Sequence, residues 1–188
     1  MEKIEKYNKK AADPKNKSKE IIQSLDIKED MKILEIGFGG GYFAEKFSDI
    51  IGKNGIYYGI DTDIDCVKYL EKVNQQSLYK NMKCILSKPE EILNLDIEFD
   101  LIFSRNVYHH LSGRVKYFMD MAKYLKENGK LVIIDYDSSF SWHRIKFSSH
   151  YTKIKVIKKE MSEAGYSLVN SFDFLPIQSF LVFEKKKD

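Results

Sequence analysis

The residues best suited to binding a ligand form a glycine-rich turn. Four of the chain's ten glycines, Gly37, Gly39, Gly40 and Gly41, lie within five consecutive positions, shortly after the acidic residue Glu35. Because glycine loses more backbone freedom on folding than any other residue, this cluster indicates a tight turn or a ligand that lies directly against the backbone. If the turn leads from a strand into a helix, the N–H groups at the helix start are available to the same ligand.

A second acidic residue, Asp61, fits a ligand that carries a ribose. It lies about 20 residues beyond the glycines, the spacing that a ribose-binding acid has after one strand and one helix. The dinucleotide motif G-x-G-x-x-G requires a third glycine where this chain has Tyr42. Glu35 would be unfavourable beside a pyrophosphate but favourable beside an ammonium group. Asp61, Thr62 and Asp63 are also candidate helix N-caps, and we expect Asp63 to cap while Asp61 binds.

Short β-rich runs alternate with helical stretches along most of the chain. This alternation implies crossover connections and a doubly wound parallel sheet. The last two apolar runs are separated by too few residues for a crossover helix, so we expect them to form an antiparallel hairpin. The prediction is a Rossmann-like α/β fold with seven strands, mostly parallel and ending in that C-terminal hairpin. The predicted strands are 31–36, 55–61, 81–87, 99–104, 130–136, 166–174 and 178–186. The predicted helices are 41–51, 63–77, 115–129 and 153–165, and Gly129 is expected to cap the third of them.

The composition is typical of one soluble domain. The 188 residues are 43% hydrophobic and 31% charged, and we divide them into a flexible segment, 1–20, and a single domain, 21–188. No run is apolar enough to span a bilayer and no secretory signal is visible, so no membrane partner is expected. Cys66 and Cys84 are too few for a disulfide framework or a metal cluster. We expect both to be reduced and packed in the core of a cytoplasmic protein without a metal site.

Over nearly its whole length the chain resembles the class I S-adenosylmethionine-dependent methyltransferases of the small-molecule type, similar to methyltransferase type 11. LEIGFGGG resembles the family's first motif, YYGIDTD the second, FDLIFSRNVYHHL the fourth-strand motif and LKENGKLVIIDY the fifth-strand segment. The antiparallel closing hairpin is also typical of this family, whereas a dinucleotide-binding sheet lacks it. The resemblance implies S-adenosylmethionine as the cofactor and S-adenosylhomocysteine as the product.

The resemblance also implies which residues bind the cofactor. The acid that closes the second motif would hold the two ribose hydroxyls, and one bidentate carboxylate suits two vicinal hydroxyls. Where the family commonly has an acid that contacts adenine, this chain has Ser87 and Lys88, whose hydroxyl or backbone groups can still bind the adenine edge. Arg105 and Asn106 would contact the methionine part. The predicted cofactor residues are Glu35, which contacts the cofactor or orders the turn, Gly37, Phe38, Gly39, Gly41, Asp61, Thr62, Ser87, Lys88, Arg105 and Asn106.

Catalysis needs no dedicated residue, because an in-line displacement on a sulfonium depends mainly on alignment and on the exclusion of water. Tyr108, His109 and His110 follow the fourth strand and would face the acceptor, where an imidazole suits general-base work near neutral pH. The alternative is that one histidine hydrogen-bonds the next helix while Tyr108 packs. Further acceptor-side candidates follow the fifth strand: His143, His150, and an apolar set, Phe140, Trp142 and Phe147, that forms either a lid or part of the core.

The sequence favours a small-molecule acceptor over a nucleic acid. The net charge is only +3, and the lysine runs at 15–19 and 184–188 lie near the two ends of the chain. The segment after the fourth strand has neither the Asn/Asp-Pro-Pro-aromatic motif of base amino methylation nor the Pro-Cys of cytosine C5 methylation. Two alternatives stay open: a non-catalytic binding subunit with this fold and, less favoured, an NAD-dependent oxidoreductase. The sequence does not define the acceptor, the methylated atom or the oligomeric state.

Overall fold

A computed structural model describes residues 1–137 and 151–187 of the chain. The chain divides into two compact units, Met1–Lys88 and Pro89–Asp188, which we call the N-terminal unit and the C-terminal unit. Five of the predicted acceptor-side residues lie outside the described residues: Phe140, Trp142, His143, Phe147 and His150.

The N-terminal unit contains three parallel strands, with helices before and between them. Its elements are α1 (Glu2–Ala12), a 3-10 turn (Pro14–Asn16), α2 (Ser18–Ser24), β1 (Lys32–Ile36), α3 (Tyr42–Ile51), β2 (Ile56–Asp61), α4 (Ile64–Gln76) and β3 (Met82–Leu86). β2 lies in the middle and pairs with β1 from Lys32↔Ile56 onward and with β3 up to Asp61↔Leu86. The carboxyl ends of β1 and β2 therefore lie side by side, which places the glycine turn near Asp61.

Apolar spacing determines the buried faces of this unit. After its first residue β1 is buried throughout, as expected of a parallel strand that is covered on both faces. Phe43, Phe47 and Ile51 recur at every fourth position of α3, and all three are buried. Cys66 is fully buried in α4, which confirms its predicted core position, while Cys84 in β3 is half-buried. Burial raises the pKa of each thiol to about 12.

Two helices precede β1, and neither was predicted from the sequence. α1 has Glu2 and Glu5 in its first turn and Lys9 and Lys10 in its last, an arrangement that the helix dipole favours. Ile4 is the buried residue of this helix. The separation of a flexible segment, 1–20, from one domain stays a prediction.

The C-terminal unit combines a parallel strand pair with an antiparallel C-terminal hairpin. Its elements are β4 (Phe99–Arg105), a 3-10 turn (Tyr108–His110), α5 (Arg114–Met121), a second 3-10 turn (Ala122–Tyr124), β5 (Leu125–Tyr136), α6 (Ile154–Glu163), β6 (Tyr166–Phe172) and β7 (Gln178–Lys185). β4 runs parallel to β5, and β7 runs antiparallel to both β5 and β6. The hairpin predicted from the last two apolar runs is confirmed.

The predicted helix over 115–129 is too long. α5 ends at Met121, and β5 already begins at Leu125, which pairs with Phe99 at the start of β4. Gly129 does not cap a helix. A Cβ atom at Gly129 would lie 2.9 Å from the carbonyl oxygen of Phe99 and 2.8 Å from Cδ1 of Leu125. This glycine is required by the close approach of two strands, a non-local constraint that the local helical pattern does not show.

The fold class predicted from the sequence is confirmed: a Rossmann-like α/β fold with seven strands, mostly parallel, that ends in an antiparallel C-terminal hairpin. Among the described residues, no helix has both the length and the apolar character that a membrane crossing requires.

Candidate functional site

The glycine turn has backbone φ values that residues with a side chain rarely adopt. Gly37, Gly39 and Gly41 have φ values of 73°, 56° and 85°, all in the left-handed region. Gly41 is the N-cap of α3, so the turn leads directly into a helix N-terminus, as predicted. A Cβ atom at Gly41 would also lie 2.8 Å from Cδ1 of Leu70. Both the turn conformation and the packing against α4 therefore require glycine.

Asp61 is bonded to this turn. Its Oδ2 accepts a hydrogen bond of 2.8 Å from the N–H of Gly39, and its Oδ1 accepts one of 3.0 Å from the N–H of Asp63. The Asp61 carbonyl oxygen also accepts a hydrogen bond from the N–H of Ser87. Asp63 caps α4 by accepting from the N–H of Asp65 at 2.9 Å, which confirms its predicted capping role. The N-terminal unit thus brings Gly39, Asp61 and Ser87 together.

Glu35 is buried near the turn and bonded to a tyrosine. Its Oε2 accepts a hydrogen bond of 2.7 Å from the hydroxyl of Tyr57, whose side chain is fully buried. Burial and the adjacent Glu35 carboxylate raise the pKa of Tyr57 well above its usual value, so the phenol remains a donor. A Cβ atom at Gly59 would lie 2.9 Å from the Tyr57 hydroxyl oxygen and 2.7 Å from Cδ1 of Phe38. Gly59, which the sequence analysis did not single out, therefore leaves room for both rings.

The remaining predicted cofactor residues of this unit differ in exposure. The side chain of Phe38 is buried against β2 at Gly59. Ser87 is half-buried, while Thr62 and Lys88 are exposed.

Helix α1 packs on the glycine turn. The ring of Tyr7 lies 3.5 Å from the position of a Cβ atom at Gly39. A Cβ atom at Gly40 would lie 2.8 Å from Cγ of Asn8 and 3.0 Å from the carbonyl oxygen of Ile4. The φ of Gly40 lies outside the left-handed region, so the fourth glycine is required by the helix and not by the turn conformation. This contact was not predicted, because local sequence patterns did not indicate the helix that makes it.

Near this contact a salt bridge joins α1 to the start of α4. Nζ of Lys3 lies 2.6 Å from Oδ2 of Asp63, the residue that caps α4. The hydrogen bond from Lys3 lowers the pKa of Asp63, and the same bond raises the pKa of Lys3. Asp63 therefore contacts both α1 and the loop that carries Asp61.

In the C-terminal unit, His109 is held by a buried carboxylate. Nδ1 of His109 lies 2.6 Å from Oδ1 of Asp135, and the backbone N–H of His109 donates to Oδ2 at 2.7 Å. The Asp135 side chain is fully buried and that of His109 is 4% exposed. Because a carboxylate only accepts hydrogen bonds, the proton between the two side chains is on Nδ1. Asp135 was not predicted as a site residue, although an acid after the buried run LVII is the signal that could have found it.

The neighbours of His109 have different environments. The ring of His110 lies 4.0 Å from that of His109, centroid to centroid, and is exposed. Tyr108 is fully buried, and its hydroxyl donates to Oε2 of Glu160 at 2.5 Å. Arg114 binds the other carboxylate oxygen of Glu160 at 2.9 Å. Burial and the hydrogen bond to Glu160 raise the pKa of Tyr108.

Arg105 and Asn106, both predicted to contact the cofactor, are joined through Gln178. Nη2 of Arg105 donates to Oε1 of Gln178 at 3.0 Å, and Nε2 of Gln178 donates to Oδ1 of Asn106. Asn106 has a left-handed φ of 61°, and its N–H donates to the carbonyl oxygen of Ile134 at 2.9 Å. Gln178 is buried at the start of β7 and was not predicted as a site residue.

Comparison with known proteins identifies the family. Residues 27–178 match a family described as a methyltransferase domain, and the chain belongs to it. A SAM-dependent methyltransferase from Aquifex aeolicus has the same fold, with a TM-score of 0.84 over 98% of both chains at 23% identity. The predicted assignment to the class I S-adenosylmethionine-dependent methyltransferases is confirmed at the level of family and fold. The family favours this assignment over the NAD-dependent alternative.

Two relatives whose names state an activity align with this chain over only part of their own length. Phosphoethanolamine N-methyltransferase 1 from Zea mays is 26% identical over 194 residues, which cover 91% of this chain and 36% of the relative. Protein-L-isoaspartate O-methyltransferase from Thermosipho melanesiensis is 32% identical over 143 residues, covering 76% of this chain and 65% of the relative. The chain thus spans about a third of the maize relative's length.

Proposed function

We propose that this protein is an S-adenosylmethionine-dependent methyltransferase that transfers a methyl group to a small-molecule acceptor and releases S-adenosylhomocysteine. The observation that carries the proposal is the hydrogen bond of 2.8 Å from the N–H of Gly39 to Asp61. It joins the two features that a nucleoside cofactor with an amino-acid tail would use, a glycine turn at a helix N-terminus and a ribose-binding acid. Membership of the methyltransferase domain family supports the same conclusion.

The carboxylate of Asp61 fits a ribose. An ionised carboxylate has about four lone-pair sites on its two oxygens. In this structure each oxygen accepts one hydrogen bond from a backbone N–H, at 2.8 Å from Gly39 and 3.0 Å from Asp63. Each oxygen therefore keeps a second site, and two vicinal hydroxyls would occupy them. The two backbone bonds also fix the carboxylate before the ligand arrives, which reduces the entropy lost on binding.

The other predicted residues of the N-terminal unit take roles that match their exposure. We assign the backbone of Gly37, Gly39 and Gly41 to the methionine part of the cofactor. Glu35 is only 3% exposed and holds Tyr57, so we assign it to supporting the turn. Ser87, bonded to the Asp61 carbonyl through its N–H, is the candidate for the adenine edge. Phe38, Thr62 and Lys88 stay predictions without further support.

His109 is the general base that the geometry of the C-terminal unit favours. The bound cofactor supplies an electrophilic methyl group on a sulfonium. Transfer of this methyl to a lone pair of the acceptor would break the carbon–sulfur bond, leave its electrons on sulfur and leave the acceptor with a proton to lose. The acceptor proton then passes to Nε2 of His109, because Nδ1 already donates to Asp135. Asp135 orients the imidazole and stabilises the imidazolium that forms, so it is a positioning residue.

Tyr108 and His110 are less suited to this step. The hydroxyl of Tyr108 already donates to Glu160, and its side chain is fully buried. We therefore propose that Tyr108 positions the loop rather than contacting the acceptor. His110 is exposed beside His109, so it could contact an acceptor without carrying the proton. The names of two relatives, an N-methyltransferase and an O-methyltransferase, fit an acceptor with a proton on nitrogen or oxygen.

We also propose that the protein works in the cytoplasm, with the acceptor as its partner rather than a nucleic acid. Two free cysteines whose thiol pKa values are raised to about 12 fit a reducing compartment.

The proposal is tested by measuring S-adenosylhomocysteine release from S-adenosylmethionine with a panel of small amines, hydroxyl compounds and carboxylic acids. Wild-type protein should release product with at least one class, and Asp61→Ala should not. Asp49→Ala, the same change at an exposed position of α3, is the matched control and should retain activity. If wild type and Asp61→Ala show equal rates with every acceptor, the assignment of the cofactor site is wrong.

A further inference from the structure

A chain of two hydrogen bonds links the side chains of Arg105, Gln178 and Asn106, and each bond determines the orientation of the next amide. A guanidinium only donates hydrogen bonds, so the atom of Gln178 that faces Arg105 must be Oε1. The other side of the Gln178 carboxamide is then Nε2, which only donates. The atom of Asn106 that receives this bond must be Oδ1. The positive charge of Arg105 therefore sets the orientation of an amide that it does not contact in this network.

The fixed orientation of the Asn106 amide determines which of its atoms is left for another partner. With Oδ1 occupied by Gln178, Asn106 presents the two N–H groups of Nδ2, which meet no acceptor among residues 1–137 and 151–187. The backbone of Asn106 is fixed by its bond to Ile134 and by a left-handed φ that asparagine tolerates better than most residues. A half-buried amide that is fixed at both backbone and side chain, and whose donors have no acceptor among the described residues, is complementary to an acceptor atom of a ligand.

We propose that Gln178 is a positioning residue that makes Asn106 an anion-binding residue. The group recognised is a carboxylate or phosphate, because Nδ2 of Asn106 offers donors only and a charged acceptor forms the stronger hydrogen bond with them. Two sources carry such a group: the methionine carboxylate of the cofactor, or an anionic small-molecule acceptor. An ammonium group is excluded as the partner of Asn106, since it offers only donors. The inference rests on the proposed function for the identity of the ligand, but not for the anion preference.

Two substitutions test the orientation. Gln178→Glu accepts from both Arg105 and Asn106, so it turns the Asn106 amide around and presents Oδ1 instead of Nδ2. Asn106→Asp keeps the bond from Gln178 but replaces the outward N–H groups with a charged oxygen. Because Gln178 is buried, the second variant keeps the test valid if the first is unstable. Gln75→Glu makes the same chemical change at an exposed position of α4 and is the control.

Titration calorimetry with three probes separates the two sources. The probes are S-adenosylhomocysteine, its analogue that lacks the carboxylate, and inorganic phosphate, the last with and without saturating S-adenosylhomocysteine. If the cofactor is the source, both variants should bind S-adenosylhomocysteine about tenfold or more weakly, because one charge-assisted hydrogen bond is lost. Their affinity for the decarboxylated analogue should be unchanged. If the acceptor is the source, both nucleosides bind the variants as they bind wild type, and phosphate binding is lost. The Gln75→Glu control should match wild type throughout.

The proposal is overturned if folded Gln178→Glu or Asn106→Asp binds S-adenosylhomocysteine and phosphate as wild type does. A parallel loss of both nucleosides in the variants, without discrimination by the carboxylate, would also contradict it. Failure of wild type to bind S-adenosylhomocysteine at all would overturn the proposed function instead. The phosphate titration of the unliganded protein would still decide the anion site in that case.

Discussion

Nδ1 of His109 lies 2.6 Å from Oδ1 of Asp135, and the backbone N–H of the same histidine donates to the second carboxylate oxygen. One buried side chain at the end of β5 therefore fixes both the backbone and the ring of a residue in the loop after β4. Such double fixation leaves the imidazole a single orientation and a single tautomer. This is the arrangement that a general base needs, and it also fixes the loop that carries Tyr108 and His110.

Removing the imidazole should affect catalysis more than removing the neighbouring phenol. With an acceptor that loses a proton, His109→Gln is expected to lower kcat by about 100-fold or more, the usual contribution of a general base. Asp135→Asn should lower it as well, because the amide no longer stabilises an imidazolium. Tyr108→Phe should change kcat by less than about tenfold and lower the free energy of unfolding by about 1 kcal/mol through the loss of its hydrogen bond.

The readout for this prediction is kcat and its pH profile, measured beside the unfolding transition of each variant. His110→Ala removes the exposed neighbouring imidazole and should lower kcat by much less than His109→Gln does, because His110 does not carry the proton. If Tyr108→Phe abolishes turnover while His109→Gln retains it, the roles are reversed.

The glycine turn should tolerate no side chain at Gly39. Gly39→Ala places a Cβ atom at a φ of 56°, which costs about 1–2 kcal/mol, and puts it 3.5 Å from the Tyr7 ring, on the turn assigned to the cofactor. Gly52→Ala also places a Cβ atom at a positive φ, 68°, here with a ψ of −165° that is essentially restricted to glycine, and no atom lies within 4 Å of that Cβ, so this variant is the control for backbone strain. Both variants should lose unfolding free energy in urea, but only Gly39→Ala should lose affinity for S-adenosylhomocysteine. Equal affinities would mean that the turn does not hold the cofactor.

The fourth glycine offers a separate test of the N-terminal helix. Gly40→Ala should displace α1, because the new Cβ atom would lie 3.0 Å from the backbone oxygen of Ile4, which cannot move without the helix. Overpacking of this kind costs about 1–3 kcal/mol, so amide exchange over 2–12 should accelerate by roughly tenfold or more. Hydrogen-exchange mass spectrometry of the variant checks this, with Gly52→Ala as the control. Unchanged protection of α1 would show that the helix does not need glycine at this position.

The buried pair of Tyr57 and Glu35 predicts a weakness at alkaline pH. Burial and then the Glu35 carboxylate raise the pKa of Tyr57 in the folded chain, whereas in the unfolded chain it is about 10. A raised pKa means that the folded state holds the proton more tightly, so this stabilisation is complete below about pH 10 and falls as pH rises above it. Wild type should therefore lose more unfolding free energy from pH 8 to pH 10.5 than Tyr57→Phe does.

Urea unfolding of the two proteins at both pH values measures this difference. At pH 8 the Tyr57→Phe variant should be less stable by about 1–3 kcal/mol, because Glu35 loses the Tyr57 donor. Tyr79→Phe, at a position that is 37% exposed, is the control and should follow wild type at both values. An identical pH slope in wild type and Tyr57→Phe would contradict the account of this pair.

Local signals in the sequence were sufficient for much of the fold and for the centre of the proposed cofactor site. The spacing from the glycines to Asp61 predicted a turn and an acid that the structure joins through one hydrogen bond. Asp63 was predicted to cap α4, and it does. These features depend on residues within one strand–helix–strand unit, so periodicity and spacing contain the information. The C-terminal hairpin was predictable for the same reason, since its connection is short.

Other features depend on contacts between distant positions, which local patterns do not show. Leu125 follows a helical pattern, yet pairing with Phe99 places it in a strand. Gln178 lies 72 positions from Asn106, and only the antiparallel placement of β7 beside β5 brings the two together. Asp135 is part of an apolar strand pattern, and its role becomes visible only when the loop after β4 packs over it. These strand boundaries and side-chain contacts depend on tertiary pairing, which the periodicity of the sequence does not show.

The central claim is that Asp61 and the glycine turn bind S-adenosylmethionine, and titration calorimetry tests it most directly. S-adenosylmethionine, S-adenosylhomocysteine and NAD are each titrated into wild type and Asp61→Ala, with Asp49→Ala as the control. Wild type and Asp49→Ala should bind the two sulfur nucleosides but not NAD. Asp61→Ala should bind both nucleosides about 10- to 100-fold more weakly, because a charged hydrogen-bond partner is removed. Failure of either sulfur nucleoside to bind wild type, or undiminished binding to Asp61→Ala, would contradict it.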